Sequence, residues 1–274
     1  MRTVYFTLPR MTFSLESTEE IVEVVTLFYP FYMRTERPED VAHTYRIEKE
    51  GEEWVLSKNG QVLVRMQGEL EAVFSLEYDV EISVLQHRKD WLAFHAGCVA
   101  VGDKACIIAG NPDTGKTTTT FNLVEMGHKF MCEEIAFLDT ESGEVLPYLQ
   151  TPSLDKEFIK VVKERFPVKR GEISPTGLFS VRYRPQLIQK EPMELSTIVV
   201  PRRDPDAQPE IIPLKPGEFL TEFLSYCFEP NVDMENFLDN VITVLEKTQI
   251  VRLVYRDILD CREGLRQLFP LTSA

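Results

Sequence analysis

Apolar residues recur at helical spacing at Ile21, Val24, Val25 and Phe28, directly after Ser17-Thr18-Glu19-Glu20, which has the S-x-x-E form of a capping box. Pro30 stops the run, so the pattern predicts a helix over about 18–29. From His43 to Met66 the period shortens to that of strands, with Tyr45–Ile47, Trp54–Leu56 and Val62–Val64 as short apolar pieces and Lys58-Asn59-Gly60 as a hairpin turn. Leu70, Val73, Phe74, Tyr78, Ile82 and Leu85 then mark one face of a second helix. Residues 1–88 therefore read as an α+β region.

After Gln86-His87-Arg88-Lys89-Asp90 the texture changes. Trp91–Val101 reads as a strand, Gly102-Asp103 turns the chain, and Ala105-Cys106-Ile107-Ile108-Ala109 is the unbroken apolar run of a strand buried on both faces. A helix follows over Lys116–Met126, closed by Gly127, and then a strand, Ile135–Leu138, that ends at Asp139. The Pro-rich stretch 201–209 reads as an exposed excursion between strands Thr197–Val200 and Glu210–Ile212. Helices near 216–228, 233–247 and 257–268, with a strand over Ile250–Tyr255, complete an α/β region over 89–274.

The chain has 274 residues, enough for two domains, and its 44 acids against 30 bases give a formal charge of −14. The excess is even: residues 1–90 and 91–274 each carry −7. Such a surface repels polyphosphate backbones and anionic lipid, which argues against nucleic acid or a membrane as partner. No stretch approaches the ~18 uncharged apolar residues of a membrane helix. The first ten residues lack the apolar core of a secretory signal, so a cytoplasmic location is expected. Five cysteines without CxxC spacing fit a reducing compartment. A homo-oligomer is compatible with the chain, although no sequence feature selects one.

The chemistry concentrates at Gly110-Asn111-Pro112-Asp113-Thr114-Gly115-Lys116-Thr117, which fits the Walker A pattern G-x-x-x-x-G-K-[ST] and lies between a buried strand and a helix. Glycines let backbone N–H groups converge on an anion, a helix N-terminus adds about half a positive charge, and Lys116 reaches the outer phosphates. Thr117 can offer its hydroxyl to Mg²⁺. Sixteen residues on, Glu133-Glu134 could divide the work of phosphoryl transfer, one acid holding metal and the other accepting a proton. Asp139, at the end of four apolar residues, competes for the metal role. Arg202 and Arg203 read as a solvated pair, with a phosphate clamp as the alternative.

His95-Ala96-Gly97 on a strand, the loop continuing through Thr114-Gly115-Lys116-Thr117-Thr118, Gly127 and the Glu133-Glu134 pair together resemble the HPr serine kinase/phosphorylase type of kinase, and more broadly the phosphoenolpyruvate-carboxykinase-like P-loop fold. The resemblance covers about residues 91–140 well. It implies a mixed-sheet kinase core over 89–274, with ATP and Mg²⁺ as cofactors. By the same resemblance Gly110 to Thr118 bind the nucleotide, Lys116 neutralises phosphate, Thr117 and Glu134 hold magnesium, and Glu133 or His95 orients or deprotonates the acceptor. It further implies transfer of the γ-phosphoryl group to a hydroxyl, of Ser or Thr in a small protein or peptide; residues 1–88 are the expected place for that acceptor to dock, an expectation that rests on no motif. The family usually carries Gly where Asp113 stands and Asp where Glu133 stands. Those two positions favour one rival expectation, a non-catalytic nucleotide-binding module; a simple P-loop ATPase using Asp139 is the other.

Overall fold

The structure is a computed structural model that describes residues 1–9, 11–34, 36–87, 91–151, 159–160, 185–228 and 234–270. The chain forms two compact units: residues 1–87 with the segment from Gln150 in the first, and residues 91–149 with 185–270 in the second.

The first unit opens with a hairpin that precedes the elements expected from the sequence. Alternating apolar residues build a hairpin of β1 (Arg2–Leu8) and β2 (Met11–Ser17), burying Val4, Phe6, Leu8, Met11, Phe13 and Leu15 on one face. Helix α1 (Glu19–Phe28) follows, then β3 (Met33–Arg34), β4 (His43–Glu50), β5 (Glu53–Lys58), β6 (Gln61–Met66) and helix α2 (Glu69–Gln86). The sheet order is β3-β1-β2-β4-β5-β6, with β2 and β4 parallel. Asn59 at φ 50° and Gly60 at φ 80° supply the left-handed turn between β5 and β6. The cap of α1 is Thr18, which accepts from the Ile21 N–H, while the Ser17 hydroxyl donates to the Ile47 carbonyl at 2.7 Å. The buried stripe of α2 is Ala72, Val73, Leu76, Val80 and Val84; Leu70, Phe74 and Tyr78 of the expected face are exposed. Both faces of α2 carry apolar residues, so periodicity alone selects the wrong stripe.

The second unit holds the loop. Its strands are β7 (Trp91–Val101), β8 (Lys104–Ala109), β9 (Lys129–Cys132), β10 (Ile135–Asp139), β11 (Glu144–Leu146), β12 (Met193–Arg203), β13 (Glu210–Pro213) and β14 (Gln249–Tyr255). Its helices are α3 (Lys116–Glu125), α4 (Pro216–Leu224), α5 (Met234–Lys247) and α6 (Ile258–Leu268). The order is β11-β10-β7-β8-β12-β14-β13, with β9 also on β7. Strands β8, β12 and β14 are parallel, so their carboxyl ends share one edge, which is where ligands of open α/β sheets bind. Helix α3 packs against α6 on one face, with the Asn122 amide donating to the Ile258 carbonyl at 3.4 Å. Phe94 of β7 meets Phe223 of α4 at 4.8 Å on the opposite face.

Eleven-residue β7 is the spine. Its second half pairs with β8 on one side and β9 on the other, and its first half pairs with β10. Residues 226–228 fill the remaining edge: the His95 N–H donates to the Tyr226 carbonyl at 2.8 Å and the Phe228 N–H to the Ala93 carbonyl at 2.9 Å. The helix expected over 216–228 therefore stops at Leu224, because these backbone groups are needed by the sheet. Among the described residues no helix is long and apolar enough to cross a membrane.

Candidate functional site

Strand β8 delivers the chain to Gly110 and α3 receives it at Lys116, so the 110–117 loop lies at the carboxyl edge of the parallel strands. Gly115 caps α3 at φ 104°, and a Cβ there would collide with the Tyr255 hydroxyl, which lies 3.4 Å from the Gly115 carbonyl. Glycine is required at this position on both counts. Within the loop the Thr114 hydroxyl donates to the Asn111 carbonyl at 2.8 Å, and the Lys116 ammonium folds back onto the same carbonyl at 3.2 Å. Asn111, Pro112 and Asp113 are exposed, and Asp113 takes φ 64°, a left-handed conformation that glycine adopts at less cost. Thr118 is half-buried on the first turn of α3.

Glu133 and Glu134 interrupt what would otherwise be one long strand along β7. Strand β9 ends at Cys132, opposite Cys98, and β10 begins at Ile135, opposite His95. The break falls beside Ala96, whose N–H donates to the Glu134 carbonyl at 3.1 Å and which pairs on its other side with Ala109, the last residue before the loop. Gly97 is what lets α3 come this close, since a Cβ there would strike the Thr120 hydroxyl. One break in pairing thus turns two carboxylates toward the loop.

The two acids find different partners. The Thr117 hydroxyl donates to Glu133 Oε1, while Glu134 Oε2 lies 3.0 Å from His95 Nε2. Glu133 is 5% exposed, and its Oε2 is buried with no hydrogen-bonding partner. Burial, then the neighbouring Glu134 charge, pushes the Glu133 carboxyl up to about 8. Glu134 feels burial as well, yet its hydrogen bond and charge contact with His95 prevail and hold it below the ordinary carboxylate range. Burial also lowers the Lys116 ammonium, against the opposing pull of Glu134, Glu133 and Asp113. The environments push the two acids apart, Glu133 toward its neutral form and Glu134 toward its carboxylate.

Asp139 is elsewhere. It pairs with Trp91, five residues along β7 from Ala96 and so about 17 Å away at strand rise, and its carboxylate accepts the Glu141 and Ser142 N–H groups, both at 3.0 Å. It closes a turn. Arg202 is tied to Asp204 at 3.0 Å.

A magnesium nucleotide can be tested against these residues. Among the described residues no three His, Cys, Asp or Glu groups gather as a metal cluster. Mg²⁺ bound with a nucleotide needs none, because phosphate and water supply most of its octahedron and one or two protein oxygens the rest. The Thr117 hydroxyl and the orphaned Glu133 Oε2 fit that demand, and the buried Lys116 fits an anion above the loop.

No protein-family model matches the chain, and no curated protein matches its sequence. Among solved structures the chain is similar to the HPr(Ser) kinase/phosphatase from Coxiella burnetii, at 10% identity and a TM-score of 0.35, over 64% of this chain and 96% of that one. A likeness of that size does not decide chemistry, which has to be argued from the site itself.

The loop, the acid pair and His95, each named from the sequence, lie together in the structure, and two residues that support them are not named for that role. Tyr255 stands in the sequence as the end of the expected strand Ile250–Tyr255, and the meeting of β14 with the loop is what shows it braced against Gly115. Phe228, 6.3 Å from the His95 ring, is placed by the strand-like segment that the helical pattern conceals.

Proposed function

We propose that the protein is an ATP- and Mg²⁺-dependent phosphotransferase of the HPr-kinase type, moving the γ-phosphoryl group to a hydroxyl of a small protein or peptide. The observation that carries this reading is the division of labour between adjacent carboxylates: Glu133 on Thr117, Glu134 on His95, across the strand break from the loop. In a simple nucleotide-binding junction there is no reason to bury an acid at 5% exposure beside a second acid.

Lys116 and the N–H groups of the α3 first turn take the phosphates. The metal, when bound, neutralises charge on the transferring group. We assign its protein ligands to Thr117 and Glu133, whose oxygens already meet, in preference to the pairing of Thr117 with Glu134; Glu133 would release its proton to solvent on taking the cation. Glu134 then acts on the acceptor side, where it and His95 hold the hydroxyl and take its proton. His95 is 37% and Glu134 49% exposed in their side chains, so an acceptor can reach both from solvent. Asp139 has no part, since its carboxylate is spent on its own turn.

The test is direct. Mg²⁺–ATP should raise the melting temperature, and Lys116→Ala should abolish the rise. With γ-labelled ATP, Glu134→Gln should lose phosphoryl transfer at least 100-fold while nucleotide still raises the melting temperature. A protein that binds nucleotide but labels no acceptor and releases no phosphate would be the non-catalytic module, the reading that Asp113 favours. An unmoved melting curve in saturating nucleotide would end both readings.

A further inference from the structure

The acid pair and the loop account for two strands at the carboxyl edge, β7 and β8, and leave the end of β12 unexplained. Strand β12 lies between β8 and β14 and runs past its last pairing with β8, Val199 with Ile108, continuing alongside β14 to Arg203, opposite Tyr255. Partners in a parallel ladder point to the same face of the sheet, about 4.8 Å apart. Tyr255 points to the α3 face, because its hydroxyl meets Gly115 there. Arg203 therefore leaves the sheet edge on the face that carries the loop, on the opposite flank of the loop from His95 and Glu134.

The cations of this edge differ in one respect. Arg202 is paired with Asp204 at 3.0 Å, and Arg256 with Asp260 at 2.7 Å. Asp204 is further occupied by the Asp206 N–H at 3.2 Å. Arg203 is exposed and forms no ion pair with a described residue. Burial is the larger influence on Tyr255 and pushes its phenol up, and the Arg203 guanidinium pulls the other way, which puts the cation within electrostatic reach of the residue that braces Gly115. In a chain of −14 charge a guanidinium without an acid at the mouth of an anion-binding loop is the exception.

We propose that Arg203 binds the α- and β-phosphates of the nucleotide, so that the phosphate chain crosses the loop from the β12 end toward the His95–Glu134 pair on β7. The inference rests on the phosphotransferase reading and adds a direction to it: nucleoside over β12 and β14, transferred group over β7. Guanidinium suits this task because its planar fork takes two phosphate oxygens at once, as an ammonium does not.

Calorimetric titration with Mg²⁺–ADP and Mg²⁺–ATP at fixed ionic strength tests it. Arg203→Ala should weaken ADP and ATP by the same factor, about 5- to 10-fold for a solvent-facing charge-assisted contact, with Arg203→Lys recovering part of the loss. Arg202→Ala should bind as wild type. An unchanged melting temperature for unliganded Arg203→Ala shows that the fold is intact. If Arg203→Ala weakens ATP alone, the guanidinium sits on the γ-phosphate and the proposed direction is wrong. If it binds both nucleotides as wild type does while Lys116→Ala binds neither, the proposal is wrong and the phosphotransferase reading stands. Wild-type protein that binds neither nucleotide would overturn both.

Discussion

Glu133 is a carboxyl held away from water against its own tendency to ionise, and that has a consequence for stability. Its folded value, about 8, lies above the ordinary 4.5, so between those limits the unfolded chain releases a proton that the folded chain keeps. Stability contributed by this group is full below pH 4.5, falls as pH rises toward 8, and is level beyond. Glu133→Gln, a neutral isostere, should therefore melt like the parent near pH 4.5 and several degrees higher at pH 8, as read by thermal melts in the absence of nucleotide. A parallel loss of stability with pH in both proteins would show that Glu133 ionises normally. Asp113 makes the complementary case. At φ 64° it costs roughly 1 kcal/mol that glycine would not, and on the proposed reading it would set a negative charge beside the nucleotide's phosphates. Asp113→Gly should tighten Mg²⁺–ATP by about 3- to 10-fold, and an unchanged affinity in calorimetry would mean the side chain points away from the ligand.

Between elements the decisive contact is that of α3 with β7. The helix can lie against the strand only because Gly97 has no side chain where the Thr120 hydroxyl sits, and this approach keeps Thr117 within reach of Glu133. Gly97→Ala should cost about 1–3 kcal/mol through overpacking, as seen by denaturant unfolding. The Thr120 hydroxyl is buried without a partner, so Thr120→Ala should be well tolerated alone and should recover most of the loss in the double variant. Strict additivity of the two would refute the clash. The same scale explains the shortened α4. Residues 216–228 carry a helical pattern, but the free edge of β7 recruits Tyr226 and Phe228 into backbone pairing, and an open strand edge outweighs the few tenths of a kcal/mol that propensity offers per residue.

For the molecule as a whole, the loop, both acids, His95, Tyr255 and Arg203 all belong to the second unit. Nucleotide should accordingly slow amide exchange in residues 110–118 and 129–135 and leave the β1–β2 hairpin unchanged, which hydrogen exchange with mass detection would show. Protection of the hairpin would place nucleotide contacts in the first unit as well. On the proposed reading the loop is a local cationic trap in a chain of −14 charge, and nucleotide affinity should respond to added salt with a small slope set by Lys116 and Arg203 rather than by overall charge.

What the chain's letters determine is local. A buried apolar run, a glycine-bearing turn and a helix start fix the strand–loop–helix junction at 110–117, and the Walker A spacing and the adjacent Glu133-Glu134 are legible with it, because each signal is complete within a dozen residues. The hairpin turn at Asn59-Gly60 belongs to the same class. Pairing across long separations is not written this way. Which acid meets Thr117 and which meets His95, why Gly97 is a glycine, which stripe of α2 is buried, and where Arg203 emerges beside Tyr255 all depend on strands that are neighbours in the sheet and distant in sequence, so only the packed tertiary structure could decide them.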